Sequence, residues 1–140
     1  MRNAECGVRI ADCGMRNEDL KQRTKKFALE IIRLVENLPK NRIADILGRQ
    51  ILRSGTSVGA NYRASCRARS RADFISKMGI VEEEADESLY WLELLLEAKL
   101  VRQDQIQHLV AEGNEITAMV IASIRTARRN KSNAERRIEH

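Results

Sequence analysis

The sequence predicts an all-α protein: a four-helix bundle in which the helices run up, down, up and down. Three observations carry this. Apolar residues recur at alternating three- and four-residue steps in four separate stretches. Three short breaks divide those stretches. A single proline and only five aromatic residues, beside 43% hydrophobic and 32% charged residues, suit long helices and suit a β-sandwich poorly. At 140 residues the chain fits one domain with one core.

Residues 1–17 show no sustained period and contain two glycines, so they read as a flexible extension. Met-Arg-Asn occurs at Met1 and again at Met15. This raises the hypothesis that translation starts at Met15, which a native N-terminal peptide beginning earlier would reject. The bundle proper is expected over residues 18–127 and a polar, frayed tail over 128–140.

The first helix is expected from Glu18 to Asn37, with Leu20, Thr24, Phe27, Ile31, Leu34 and Leu38 on its seam. Lys21, Arg23, Lys25, Lys26 and Arg33 lie mostly off that seam, facing solvent or a partner. Pro39 stops the helix, because it lacks an N–H and disfavours the α conformation in the residue before it. Asn41 is then the N-cap of a second helix starting near Arg42. Its seam reads Ile43, Ile46 or Leu47, Gln50 or Ile51, Ser54, Val58, Asn61 and Tyr62. The first half of this seam is aliphatic and the second half small or polar. Gly55 and Gly59 share a face there, at a cost of up to ~1 kcal/mol each in helix propensity relative to alanine, which points to close approach of another helix.

Residues 63–71, RASCRARSR, form the second turn, and Ser70 with Asp73 resembles a capping start. The third helix, Arg71 to Ala98, places Phe74, Met78, Val81, Ala85, Ser88, Leu92 and Leu95 in heptad register. Ile75, Leu89, Trp91 and Leu96 add apolar surface beyond that seam, so this helix is the expected centre. The fourth, Asp104 to Ala127, has Asp104 as N-cap and Ile106, Val110, Gly113, Thr117, Val120 and Ile124 on its seam.

The net charge of +5 and pI near 9.4 favour anionic partners. The charge is segregated: seven arginines and one acid between Arg42 and Arg71, then eight acids and one lysine between Ala72 and Ala98. The plainest reading is mutual neutralisation along the edge the two helices share. The functional reading rests on Arg53, Arg63, Arg67, Arg69 and Arg71, a cluster able to bind phosphates through multidentate geometry. Its competing role is compensation of a helix C-terminus.

Among the acids, Glu83, Glu84 and Glu87 are expected to turn inward towards Ser54, Ser57, Asn61 and Tyr62, forming a buried polar network, since a buried acid needs such partners. A di-iron bundle needs Glu-x-x-His on its helices, and Gln105 stands where His108 would need an acid. Cys6, Cys13 and Cys66 match neither a disulfide framework nor a zinc site. No Ser-His-acid set or phosphate loop is evident, so neither a cofactor nor an enzymatic activity is expected. No run approaches the roughly 18 apolar residues of a membrane span, and a signal-peptide core is missing, which reads as a cytoplasmic protein without a membrane partner.

Arg53 to Arg63 (RSGTSVGANYR), Ala68 to Met78 (ARSRADFISKM) and Glu84 to Leu95 (EADESLYWLELL) resemble the bacterial four-helix-bundle proteins, also called 23S rRNA intervening-sequence proteins. The likeness covers about Leu20 to Arg125. Ala64 departs from it, where an acidic residue would follow Asn-Tyr-Arg. The resemblance implies a left-handed bundle, a ring-like homopentamer and no enzymatic activity. A distant relative, the accessory variability determinant of diversity-generating retroelements, implies binding of nucleic acid and a reverse transcriptase by fold-level analogy. The expectation is therefore a non-enzymatic, oligomeric bundle that binds RNA or DNA non-specifically through its arginines. The alternative is a protein-interaction scaffold, or an accessory subunit of a nucleic-acid-handling enzyme such as a reverse transcriptase.

Overall fold

A computed structural model describes residues 14–139, with side chains over 19–130 and 132–138. Among the described residues there are four helices and no strand: α1 (Gly14–Glu36), α2 (Arg42–Ser65), α3 (Arg71–Glu97) and α4 (Gln103–Glu139). Residues 1–13, and with them Cys6 and Cys13, lie outside the described residues. So does the question of where translation starts.

The helix boundaries follow local chemistry. Leu38 and Pro39 end α1, and the Asn41 side chain accepts the Ala44 N–H at 2.8 Å to open α2. Ser70 accepts the Asp73 N–H at 3.0 Å, while the Asp73 carboxylate accepts the Arg69 N–H at 3.2 Å, so two orphan donors at the start of α3 are satisfied reciprocally. At the other end of α3, Lys99 takes φ 61°. Its N–H donates to Leu96 O and that of Leu100 to Leu95 O, both at 3.0 Å, which closes the helix as a Schellman motif without the usual glycine.

Two boundaries differ from expectation. Helix α1 starts at Gly14, four residues ahead of Glu18, and α4 runs to Glu139 instead of fraying after Ala127. Nothing between Thr126 and Glu139 breaks a helix: there is no proline or glycine, and alanine, arginine and glutamate are good helix formers. Nor is Asp104 the N-cap of α4. It lies inside the first turn, where it accepts from Arg102 Nε at 3.0 Å, and Gln105 Oε1 caps the Arg102 N–H at 2.8 Å.

The seams of α1 and α3 are buried as their periods require: Leu20, Thr24, Phe27, Ile31, Leu34 and Leu38 on the first, Phe74, Met78, Val81, Ala85, Ser88, Leu92 and Leu95 on the second. On α4, Leu109 and Ile116 are fully buried while Val110 and Thr117 sit at the edge of the seam, a rotation of about one position. The first half of α2 is also rotated. Ala44 and Gly48 face the core with Ile51, and Leu47 packs against it, so the Leu47 and Ile51 alternatives hold, while Ile43 is 55% and Ile46 48% exposed and Gln50 is exposed as well.

Glycine packing explains that rotation. A Cβ on Gly48 would stand 3.2 Å from Leu38, one on Gly59 would stand 3.2 Å from the Thr24 hydroxyl, and one on Gly55 would overlap the Ile31 side chain. These three glycines line one face of α2, and α1 lies directly on it. The pairs Leu38 with Gly48, Ile31 with Gly55 and Thr24 with Gly59 also run in opposite directions along the two helices, so α1 and α2 are antiparallel. Across α3 and α4, Leu89 packs over Gly113, where a Cβ would come within 2.8 Å. Helix α3 packs extensively on both α2 and α4, and α2 does so on α1 and α3; of the four neighbouring pairs, α1 and α4 touch least.

Candidate nucleic-acid interface

The acidic half of α3 does meet the basic α2, but only in the middle. Arg53 donates to Glu87 Oε2, and its Nη1 lies 3.5 Å from Glu84 Oε1. That Glu84 oxygen is buried and has no hydrogen bond, so the contact is ionic only. Glu87 also accepts the Trp91 indole N–H at 3.0 Å. The Trp91 donor, and then Arg53, hold the Glu87 carboxyl below its ordinary value; Arg53 is correspondingly held above its own by the Glu87 hydrogen bond. Arg53, expected in the phosphate-binding cluster, is thus engaged within the bundle, with its side chain 51% exposed.

The other four arginines stand differently. Arg63, Arg67 and Arg69 are exposed and Arg71 is half-buried, all at the end of the bundle where α2 passes into α3. None of the four takes part in an ion pair among the described residues, and Arg71 Nη1 is a buried donor without a partner there. The nearest acid, Asp73, is bonded to Lys77 at 3.1 Å and to the Arg69 backbone, and both hydrogen bonds lower its pKa. It caps the helix, and the Arg69 charge also lowers its pKa, so Asp73 offsets Arg69 in part while Arg63, Arg67 and Arg71 enter no ion pair among the described residues.

The polar residues of α2 distribute themselves within the helices. Ser88 Oγ lies 2.8 Å from its own Glu84 carbonyl and 3.1 Å from Ser54 Oγ. Ser54 Oγ in turn lies 3.4 Å from the Ile51 carbonyl, so the two hydroxyls share their protons between each other and two helix carbonyls. Ser57 donates to the Arg53 carbonyl at 2.7 Å and Asn61 to the Ser57 carbonyl at 2.8 Å, both on α2 itself. Tyr62 is buried, whereas Glu83 is exposed. The small seam therefore serves helix approach, and a serine pair joins α2 to α3.

One strong pair has no counterpart in the sequence reading. Arg23, placed there among the residues facing away from the seam, reaches across to α4. Its Nε and Nη2 each lie 2.8 Å from a Glu112 oxygen, and its Nη1 lies 3.3 Å from Met119 Sδ. The Arg23 hydrogen bonds, with Arg23 and Lys26 as nearby charges, lower the Glu112 pKa, and those to Glu112 raise that of Arg23. The partners are 89 residues apart, and no motif links them.

Among the described residues no group of three or more His, Cys, Asp or Glu side chains could hold a metal, and no helix is long and apolar enough to cross a membrane. Cys66 is buried and is not part of a disulfide among the described residues. The hollow beside Pro39, of about 210 Å³, is lined by Val35, Leu38, Ala44, Gly48 and Leu52 together with Glu36, Lys40, Asp45 and Arg49.

The sequence profile of the 23S rRNA-intervening sequence proteins matches residues 16–122. Among solved structures, the chain is similar to a crystallised protein of unknown function from the S23 ribosomal protein family of Bacteroides thetaiotaomicron. The two are 38% identical with a TM-score of 0.74, over 78% of this chain and 97% of that one. No curated protein matches.

Proposed function

The chain belongs to the 23S rRNA-intervening sequence protein family, and from that premise we propose that it is a non-enzymatic, self-assembling helical bundle that binds RNA or DNA through its basic end. One contrast carries the reading. Two acids stand against Arg53 and none against Arg63, Arg67 or Arg71, while Asp73 offsets Arg69 only in part, so this end keeps a surplus of positive charge for an external anion. Helix-end compensation accounts for Arg63, in the last turn of α2, but cations at the start of α3 are unfavourable to its dipole, so Arg69 and Arg71 have no such role. Exposed Ile43 and Ile46 on α2, beside half-buried Trp91 on α3, supply an apolar strip for a second copy, and assembly would multiply the arginine clusters. The homopentamer implied by the resemblance is the assembly we adopt.

The test replaces Arg63, Arg67, Arg69 and Arg71 with glutamine in the full chain and measures binding to a short RNA and a short DNA across a salt series. Wild type should lose affinity steeply with salt, and the variant should bind at least tenfold more weakly with a shallower slope. A salt-independent wild-type curve overturns the reading. If the variant keeps its nucleic-acid affinity and instead loses a co-purifying enzyme, the same surface is a docking site for a nucleic-acid-handling partner such as a reverse transcriptase.

A further inference from the structure

Helix α4 outruns the bundle. The register that sets Leu89 over Gly113 brings Arg71, the first residue of α3, level with residue 131 of α4. Beyond it, residues 133–138 are all exposed, and Ile138 is 84% exposed on what would be the continuation of the core seam. The last two turns of α4 therefore stand clear of the other three helices, at the same end as the α2–α3 turn.

This arm is basic on one side. Residues 125–139 hold six basic residues and two acids. Arg125, Arg128, Arg129, Arg136 and Arg137 are exposed, and none enters an ion pair among the described residues. Among the described residues the hydrogen bonds their side chains make are local, Arg129 to Thr126 at 3.4 Å and Arg136 to Ser132 at 3.3 Å. At about 100° per residue, Arg125, Arg129 and Arg136 fall on one line opposite Ala127, with Arg128 and Arg137 on its two flanks. The helix dipole accounts for arginines in the last turn, Arg136 and Arg137, but its influence has faded at Arg125, Arg128 and Arg129.

A helix packed behind through Ala127, free over its last two turns, with arginines along its front and on both flanks and Glu135 sharing the Arg128 flank, has the cross-section and charge pattern of a groove reader. An α-helix with its side chains is about 10–12 Å wide and the B-DNA major groove about 12 Å, whereas the major groove of A-form RNA is too deep and narrow to admit one. We propose that the α4 arm from Arg125 to Arg137 binds duplex DNA by lying in the major groove, its flanking arginines on the two phosphate walls. This rests on the reading that the basic end of the bundle binds nucleic acid, and it adds the duplex form and the element that enters it.

The experiment uses a mixed-sequence DNA duplex of about 20 base pairs and the RNA duplex of the same sequence, with anisotropy read across a salt series. The full chain is compared with R125Q/R128Q/R129Q/R136Q/R137Q, whose glutamines preserve helix propensity, as circular dichroism will check. Wild type should prefer the DNA duplex. The arm variant should lose tenfold or more in DNA affinity, with the slope of log K against log salt shallower by roughly four, while its RNA-duplex affinity falls less. Equal binding of both duplexes by wild type, or unchanged DNA affinity in the arm variant, overturns the inference. If the α2–α3 glutamine variant alone loses binding, the arm proposal fails and the basic-end reading stands; if wild type binds neither duplex nor the single strands, both fail.

Discussion

Arg23 offers Glu112 two parallel N–H donors at 2.8 Å, with both side chains little more than a quarter exposed. Removing the carboxylate leaves that guanidinium half-buried with only the more exposed Asp19 and Glu115 nearby. Glu112→Gln should therefore lower unfolding free energy by about 1–2 kcal/mol, a range discounted for solvent screening. The pH dependence has a defined sign. Glu112 is depressed in the folded chain, so its contribution is present above the ordinary glutamate pKa and is lost as pH falls through the folded value. Urea midpoints should decline below about pH 4.5 in the wild type, and less steeply in E112Q. Identical pH profiles would show that the pair contributes nothing to stability. The residue identities made each partner visible as a charge; only the fold made them partners.

At the scale of the helix, glycine does two different things here. Gly55 sits where α1 closes on α2, and an added Cβ would overlap Ile31, a core side chain with no room to move. Gly79 on α3 faces open space within 4 Å. Gly55→Ala should destabilise the bundle by roughly 1–3 kcal/mol through overpacking, whereas Gly79→Ala should stabilise it by up to ~1 kcal/mol through helix propensity. Thermal unfolding of the two variants compares them directly, and a gain at Gly55 would show that α1 does not need the close approach. Element existence was legible because four amphipathic periods stand between recognisable breaks. Boundaries were legible where one side chain sets them, as at Pro39, Asn41 and Ser70. The rotation of the first half of α2 was not, because its isoleucines advertise a seam that Ala44 and Gly48 take by being small. The length of α4 was missed for another reason: polarity marks solvent exposure, and an exposed segment with good helix formers can remain helical.

For the whole molecule, the surface that matters to the proposed assembly is the outer edge of α2 and α3. Ile43 lines a shallow hollow with Ala98 and Leu100, Ile46 lies 48% exposed along the same helix, and Tyr90 stands edge-on to Trp91 with ring centres 5.0 Å apart. Neither isoleucine belongs to the chain's own core, so Ile46→Lys should leave helix content unchanged while lowering the mass seen by light scattering from that of several chains towards one. The measurement is made with nuclease treatment, since bound nucleic acid could also link copies. A wild type that is already monomeric after nuclease removes the assembly and the argument from multiplied arginines.

The sequence by itself determined the helical class, the α1 and α3 core positions and the caps at Asn41 and Ser70, because these depend on a period of 3.6 residues and on contacts spanning three or four positions. It also determined that a basic segment precedes an acidic one. The tertiary structure decided which charges cancel: Arg53 with Glu87, Arg23 with Glu112, and neither Arg63 nor Arg67 with anything described. It also set the free end of α4 beside the α2–α3 turn. Those outcomes turn on the rotation and register of whole helices, which are set where a backbone can come close enough to a glycine, and no local pattern in the chain records that distance.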